Sequence, residues 1–387
     1  MMLHEFHHSL GAHFSELNGE QLATDYGDWL AEHAALHGSV GVLDLSFRSR
    51  LCLVGADRAR FLHGQVTNDV KKLRAGEGCY AAITTAKGKM ESDLNIFCLA
   101  DELLLDFEPG RAEKISARLE KFLVADDVQI VDAAPHYGLL TVQGPKAGEV
   151  IRALGLFTEL PAPPLKSVKI SDATLGEIYL VNHARLTGTA GILPAGSAND
   201  RAAARRQDAS VPSWGGFDLF IPNNSLGAVA DKLIATAKSF GGRACGWTAF
   251  ETARIEAGIP RFGADMDETN LPLECGIESR AIVYNKGCYI GQEVINRVHS
   301  FGRVTKELCR LRLADDLKAL PVRGEKIFCD SKEVGYITSA VKSPLFTANL
   351  ALGYVRREVN QTGSELVLQS DGRASAVKIL DGSSADL

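Results

Sequence analysis

Strands that follow one another in pairs, with no helix between them, limit this chain to a small set of folds. Residues 79–85 and 91–99 have strand-like patterns, and the short turn at 86–89 separates them, which predicts a β-hairpin. The next amphipathic helix comes only at Arg111–Phe122. A doubly wound sheet would alternate one strand with one helix, so the pattern favours an α+β fold.

The last quarter of the chain has a different pattern. From Lys306 onward it contains only short strand-like segments separated by glycine-containing turns, which is typical of a small barrel or sandwich. A length of 387 residues predicts two or three domains. We therefore predict an α+β region over residues 1–300 and a β domain over residues 301–387.

Residues 186–214 interrupt two strand-like neighbours. The segment is rich in glycine and alanine, contains Arg205 and Arg206, and has little apolar periodicity, whereas 177–181 and 217–221 resemble adjacent strands. We predict a disordered surface insertion here. A basic loop that contacts RNA is the alternative.

Charge, hydropathy and cysteine spacing exclude several classes of protein. The formal net charge of −6 predicts no direct nucleic-acid binding, and no apolar run approaches the roughly 18 residues of a membrane helix. The eight cysteines show no CxxC pair, so we predict free thiols in a reducing compartment, the cytoplasm. Dinucleotide, P-loop and nucleophile-elbow motifs are also missing from the sequence.

The sharpest local motif is KGCYIGQE, with a predicted helix at 292–299. A thiol beside a lysine and near a helix N-terminus would be favoured as thiolate, and the glycines permit close approach to a ligand. The functional interpretation is a reactive or ligand-facing cysteine, and the alternative is a small buried apolar residue in a tight turn. The motif residues are Lys286, Gly287, Cys288, Tyr289, Gly291, Gln292 and Glu293.

Two histidines lie four residues apart on the first long predicted helix. His33 and His37 would share one face, but a zincin helix has its glutamate after the first histidine, and here Glu32 precedes it. We therefore predict a half-exposed polar stripe and no metal site. Arg254, in the middle of a later helix, is by default a structural salt-bridge residue.

Several segments together resemble one family. KGCYIGQE at 286–293 resembles the signature of the YgfZ-type folate-binding proteins, which act in iron–sulfur protein maturation and are related to the aminomethyltransferase (T-protein) of the glycine cleavage system. FLHGQVTNDV, VQGP, RIEAG, GADMDE, GYITS and LALGYV occur in the order that those families show. The resemblance implies three units, two of them interleaved α+β subdomains within residues 1–300, around a central folate cavity, with a C-terminal β-barrel.

The resemblance also implies the site. The aminomethyltransferase has a pair of aspartates after its second hairpin turn, and Ser92 and Asp93 match it, so one aspartate of the pair is present here. A second carboxylate of the family matches Asp218, which would suit the donor edge of a pterin ring. Arg254 would hold the glutamyl tail or a pterin-side group. The resemblance thus implies folate-binding residues Asn68, Asp69, Asp218 and Arg254, with Asp93 and Cys288 as catalytic candidates and no metal ligand.

The implied function is a cytoplasmic, monomeric accessory protein that binds tetrahydrofolate or a one-carbon derivative. Its partners would be iron–sulfur client enzymes or assembly factors, including the radical enzymes that modify tRNA. One alternative is a folate-dependent aminomethyltransferase, disfavoured by the single Asp93 and by the octapeptide, which aminomethyltransferases lack. A second is a non-catalytic scaffold with a vestigial folate cavity.

Overall fold

The computed structural model describes residues 3–187, 215–362, 364–370 and 373–380. It combines helices with sheets that are antiparallel, as the strand pairs predict, except where the short strand Arg243–Ala244 pairs in parallel with the strand Gly41–Asp44. Most of the insertion predicted at 186–214, with its expected disorder, lies outside the described residues. The strands in chain order are β1 (His13–Leu17), β2 (Glu20–Asp25), β3 (Gly41–Asp44), β4 (Ser49–Val54), β5 (Glu77–Thr84), β6 (Met90–Cys98), β7 (Glu102–Phe107), β8 (Gln129–Asp132), β9 (Tyr137–Gly144), β10 (Ser167–Asp172), β11 (Gly176–Asn182), β12 (Gly215–Pro222), β13 (Arg243–Ala244), β14 (Lys306–Leu313), β15 (Lys326–Cys329), β16 (Lys332–Ser343), β17 (Ala348–Arg356), β18 (Glu365–Ser370) and β19 (Arg373–Ile379).

Helix α2 (Trp29–Gly38) begins at a side-chain cap. Asp28 caps α2 through a bond from the Ala31 N–H to its carboxylate (3.0 Å), as expected for an aspartate before an apolar helix. Among the described helices, none is long and apolar enough to cross a bilayer. The α-helices are α1 (His4–Ser9), α2 (Trp29–Gly38), α3 (Arg58–His63), α4 (Ala112–Glu120), α5 (Ala147–Leu154), α6 (Leu226–Ser239), α7 (Trp247–Glu256), α8 (Glu278–Ala281) and α9 (Gln292–Ser300).

Two large open sheets and the two-stranded β1–β2 sheet form the α+β part. The first has the order β5-β6-β7-β4-β8, and the predicted hairpin is its β5–β6 pair. The second has the order β10-β11-β12-β9-β3-β13. Here β11 pairs with β12, with Val181 opposite Asp218, so the two strands that flank the insertion are neighbours as predicted. Phe97 of the first sheet packs edge-on against Phe220 of the second, with ring centroids 5.5 Å apart, so the two sheets share an apolar interface.

The C-terminal strands close into a barrel of order β14-β17-β16-β15-β18-β19, which confirms the barrel and excludes the sandwich. Alternate side chains of β14, such as Cys309, Leu311 and Leu313, lie in its core, as the period of a strand requires. Tyr354 of β17 packs instead with Phe262 and Met90 in a separate apolar cluster. That cluster joins the barrel to the first sheet.

Gly335 is required for the close approach of β16 to β17. A Cβ atom there would lie 2.1 Å from the Tyr354 carbonyl oxygen, whereas a Cβ at Gly38 would meet no atom within 4 Å. We expect Gly335→Ala to lower the free energy of unfolding by about 1–3 kcal/mol, the usual cost of overpacking. Gly38→Ala, the matched control, should cause no loss. Equal urea midpoints for the two variants would contradict this account of the barrel.

Candidate functional site

Lys286 is the first residue of the octapeptide, and its side chain is buried. Its ammonium donates to three backbone carbonyls, those of His63 (2.7 Å), Val66 (2.6 Å) and Asn68 (2.7 Å). Burial lowers its pKa to about 8, while the three carbonyl oxygens favour the charged form. Lys286 therefore holds together the turn that follows α3, and its positive charge is directed at that turn.

The two glycines of the motif allow the 286–291 loop to dock on the first sheet. A Cβ on Gly287 would lie 3.2 Å from His63 Nε2, and one on Gly291 would lie 2.5 Å from Thr84 Oγ1. Gly291 also has a φ of +89°, a conformation that favours glycine. The Thr84 hydroxyl donates to the Ile290 carbonyl (2.7 Å). These glycines were expected to allow the backbone to approach a ligand closely. They instead allow it to approach His63 and Thr84 of the protein itself.

Cys288 is exposed between these anchored neighbours. All eight cysteines lie in the described residues, and Cys288 alone among them is exposed. The Tyr289 ring next to it is buried, which raises the pKa of that phenol to about 12, and α9 begins at Gln292, followed by the exposed Glu293. The position excludes the interpretation of Cys288 as a buried apolar residue. It presents an accessible thiol on a loop whose backbone is held from both sides.

Asp93 and Asn68 both contact Tyr80, beside the turn at 63–68. The Tyr80 hydroxyl donates to Asp93 Oδ2 (2.8 Å), and the Arg280 guanidinium lies 4.4 Å from the centroid of the Tyr80 ring. Asn68 Nδ2 donates to the carbonyls of Tyr80 (2.8 Å) and Arg280 (3.0 Å). Burial raises the pKa of Asp93, and the nearby charge of Glu108 adds to the effect. We call Asn68, Tyr80, Asp93 and Arg280 the Asp93 cluster.

The Asp93 carboxylate is only partly buried, and the described residues donate no hydrogen bond to its Oδ1 atom. Asp69 is more fully engaged, because it contacts Lys72 Nζ (2.9 Å) and His63 Nδ1 (3.3 Å). Burial would raise the pKa of Asp69, but Lys72 and His63 lower it overall. Asp69 Oδ1 is buried and accepts no hydrogen bond from the described residues, so Asp93 offers the more accessible free oxygen to a ligand.

Asp218 has its oxygens occupied by other side chains. It is fully buried on β12, where His183 Nδ1 (2.8 Å) and Arg185 Nη2 (2.6 Å) contact Oδ2 and Arg185 Nε contacts Oδ1 (3.0 Å). Burial alone would raise the pKa of Asp218, but Arg185 and His183 more than offset it and the pKa is lowered. The resemblance predicts that Asp218 accepts hydrogen bonds from the N–H groups of a pterin. In this structure it accepts them from Arg185.

Arg254 is likewise satisfied within the protein, which matches the default salt-bridge interpretation. Its guanidinium pairs with Asp265 and Glu251 and donates to Ser339 Oγ (3.0 Å). Asp218 and Arg254 both belong to a continuous run of buried or nearly buried ion pairs, in which each member contacts the next. We call this run the ion-pair chain; in order it comprises Asp218, Arg185, Asp106, Arg48, Glu108, Arg261, Glu251, Arg254 and Asp265.

The structure thus separates the predicted site residues into two groups. Asn68, Asp69 and Asp93 gather around the turn that Lys286 holds, whereas Asp218 and Arg254 belong to the ion-pair chain. Tyr80 and Arg280 were not expected. In the sequence, each is a polar residue beside apolar ones, which is also the pattern of ordinary packing. Only the contacts of the folded chain show that they belong to this cluster.

Two models of known protein domains match most of this chain. The model of the GCVT N-terminal domain matches residues 3–187 and 213–286, and the model of the glycine cleavage T-protein C-terminal barrel domain matches residues 306–384. The chain belongs to the glycine cleavage T-protein family. The family match omits residues 188–212, within the segment where the sequence predicts an insertion.

Relatives within the T-protein family span almost the whole chain. An aminomethyltransferase of Halalkalibacterium halodurans is 26% identical over 98% of this chain and 95% of its own length, and one from a Geobacillus species is 27% identical over 96% and 94%. The crystal structure of the glycine cleavage system aminomethyltransferase T from Bartonella henselae superposes with a TM-score of 0.81 at 21% identity, covering 98% and 96%. The T-protein fold is therefore established for this chain.

Replacing Lys286 tests its proposed structural role. Lys286→Met leaves three carbonyl oxygens without their donor, and an unsatisfied buried group costs about 1–3 kcal/mol. We expect the free energy of unfolding to fall by at least about 3 kcal/mol in urea titrations. Lys71→Met is the matched control, since Lys71 is exposed, and it should change stability little. A similar small effect for both variants would contradict the role given to Lys286.

Proposed function

We propose that this T-protein family member binds a reduced folate beside the Asp93 cluster and acts as an accessory protein in the assembly or repair of iron–sulfur enzymes. The observation that carries the proposal is the placement of Cys288. Its exposed thiol lies on a loop that Lys286, Gly287 and Gly291 hold against the turn next to Asp93. The turn at 63–68 then contacts both the Asp93 cluster, through Asn68, and the loop that carries the accessible thiol, through Lys286.

The residues around Asp93 suit the pterin part of tetrahydrofolate. A pterin presents N–H donors at one edge, and the partly exposed Asp93 carboxylate has Oδ1 as an acceptor for them. Asp218 and Arg254 do not fit their expected roles as they stand, because other side chains already occupy them. When bound, tetrahydrofolate would supply the carrier for a one-carbon unit.

Asp93 is suited to holding a proton at its carboxyl oxygen. Its raised pKa means that the protonated form persists to a higher pH than for an ordinary aspartate. A carboxyl in that state can donate to, or accept from, a nitrogen of a ligand within reach. The Tyr80 hydroxyl holds the other oxygen in place, so the carboxyl orientation is set before a ligand arrives.

Cys288 would act on a protein partner. Because most iron–sulfur clusters need four protein ligands, one exposed cysteine cannot hold a cluster alone. We propose that its thiol gives up its proton to water and donates a sulfur electron pair to an iron of a client's cluster, with no change of oxidation state. Client iron–sulfur enzymes, including tRNA-modifying radical enzymes, are the partners this implies.

Aminomethyl transfer is the second candidate function. It is favoured by the relatives, which are named aminomethyltransferases and align over nearly their entire length. Two features of this chain weigh against it. Ser92 takes the place of the second aspartate expected from the resemblance, and the 286–293 octapeptide is a feature that the resemblance assigns to the YgfZ-type proteins.

Calorimetric titration with tetrahydrofolate tests the folate part of the proposal. We expect wild type to bind and Asp93→Asn to bind about 10- to 100-fold more weakly, the effect of losing one charge-assisted hydrogen bond. Asp101→Asn makes the same chemical change at an exposed position and should leave affinity unaltered. No binding by wild type, together with no folate-dependent rise in melting temperature, would support the scaffold with a vestigial cavity instead.

Substitution of Cys288 separates the two candidate functions. In cells that lack the gene, we expect Cys288→Ser to fail to restore iron–sulfur enzyme activity while its tetrahydrofolate affinity stays that of wild type. Cys329→Ser, which changes a half-buried thiol of the barrel, should restore activity fully. If Cys288→Ser restores activity, the role proposed for the Cys288 thiol is wrong. Conversion of an aminomethylated lipoyl carrier at equal rates by wild type and Cys288→Ser would establish the aminomethyltransferase.

A further inference from the structure

Three potential metal ligands converge at a point that the proposed function does not use. His33 and His37 lie one turn apart on α2, and Glu256 is the last residue of α7. The His33 Nε2 atom lies 2.7 Å from Glu256 Oε2, the His37 Nε2 atom lies 3.1 Å from the same oxygen, and the two nitrogens are 3.0 Å apart. The sequence-based expectation of a half-exposed stripe is wrong for His33, which is 3% exposed.

Hydrogen bonding alone does not account for this triangle. Each Nε2 atom carries at most one proton, and an ionised Glu256 carries none. At most two of the three short contacts can therefore be hydrogen bonds, and in the third two donors or two acceptors face each other. A cation among the three atoms would remove that conflict, because each would then direct a lone pair at it.

The triangle also has the size of a metal site. Ligands of a tetrahedral zinc ion with bonds of about 2.1 Å lie about 3.4 Å from one another. The observed separations of 2.7, 3.0 and 3.1 Å are shorter than this by about 0.3 to 0.7 Å. A small outward movement of the side chains would bring all three atoms to bonding distance from one ion.

The surroundings support the three ligands. The Ser343 hydroxyl of β16 donates to Glu256 Oε1, which leaves Oε2 for the cluster and fixes the plane of the carboxylate, as outer partners of metal ligands do. The Trp29 ring packs edge-on against His33, with centroids 6.5 Å apart. His37 is 11% exposed and His33 and Glu256 are 3% and 1% exposed, so an ion would reach the cluster from the His37 side.

We propose that His33, His37 and Glu256 form a binding site for a divalent transition-metal ion of the zinc class. Two imidazoles and one carboxylate are a known ligand set for Zn²⁺ and leave a fourth position for water or another ligand. The site goes beyond the proposed folate and iron–sulfur function. Because its elements are α2, α7 and, through Ser343, β16, the ion would stabilise the contact of the α+β part with the barrel.

Metal titration of the full-length protein tests the site, with Zn²⁺ as the probe. After treatment with a chelator, wild type should bind one equivalent of Zn²⁺ in competition with a chromophoric chelator, and its melting temperature should rise. His37→Ala should weaken binding by more than the 10- to 100-fold that changes in outer partners cost. His8→Ala, which removes an exposed histidine from α1, should bind as wild type does.

Two results would overturn the proposal. One is the absence of stoichiometric Zn²⁺ binding by folded wild type, and the other is equal affinity in His37→Ala. Should His37→Ala fail to fold, as judged by circular dichroism, Co²⁺ titration of wild type decides the question. A four-coordinate absorption spectrum supports the site, and a spectrum that stays that of hydrated Co²⁺ contradicts it.

Discussion

The ion-pair chain is the constraint on which the arrangement of the three units depends. It crosses from Asp218 on β12 through Asp106 on β7 to Arg254 on α7, and at its end Asp265 accepts a hydrogen bond from Thr338 of the barrel (2.6 Å). A buried charge without its partner costs several kcal/mol, so no unit can move away without exposing or orphaning a charge. Apolar packing stabilises the contact between the units, and the ion-pair chain restricts them to one relative placement.

The same interaction explains what the sequence could and could not predict about the site. Local periodicity predicted both strands of the hairpin within two residues of the observed bounds of β5 and β6, because neighbouring residues determine those patterns. Whether Asp218 faces a ligand or a protein cation depends on Arg185, which lies 33 residues earlier and beside the insertion. His33 depends in the same way on Glu256, 223 residues away. Such partners leave no short-range signal in one sequence.

In the octapeptide, the sequence likewise identified the motif but not what each of its residues does. Its residues could be singled out from the spacing of the glycines and the thiol, but their individual tasks follow from the turn at 63–68. Lys286 was expected to act on the neighbouring thiol, and its ammonium instead satisfies three carbonyls of that turn. Most of the motif thus serves to position the 286–291 loop. The residue that this positioning presents at the surface is Cys288.

Helix α7 brings the remaining features together. Arg254 and Glu256 are two residues apart, so an α-helix directs them to nearly opposite sides. Arg254 enters the ion-pair chain, while Glu256 meets the two histidines of α2, and its carbonyl accepts from Arg310 of β14 (2.9 Å). An ion at Glu256 would therefore act on the joint between α2, α7 and the barrel. It would influence the Asp93 cluster only through the rigidity of that joint, so the proposed metal site and the proposed folate site are independent in their chemistry.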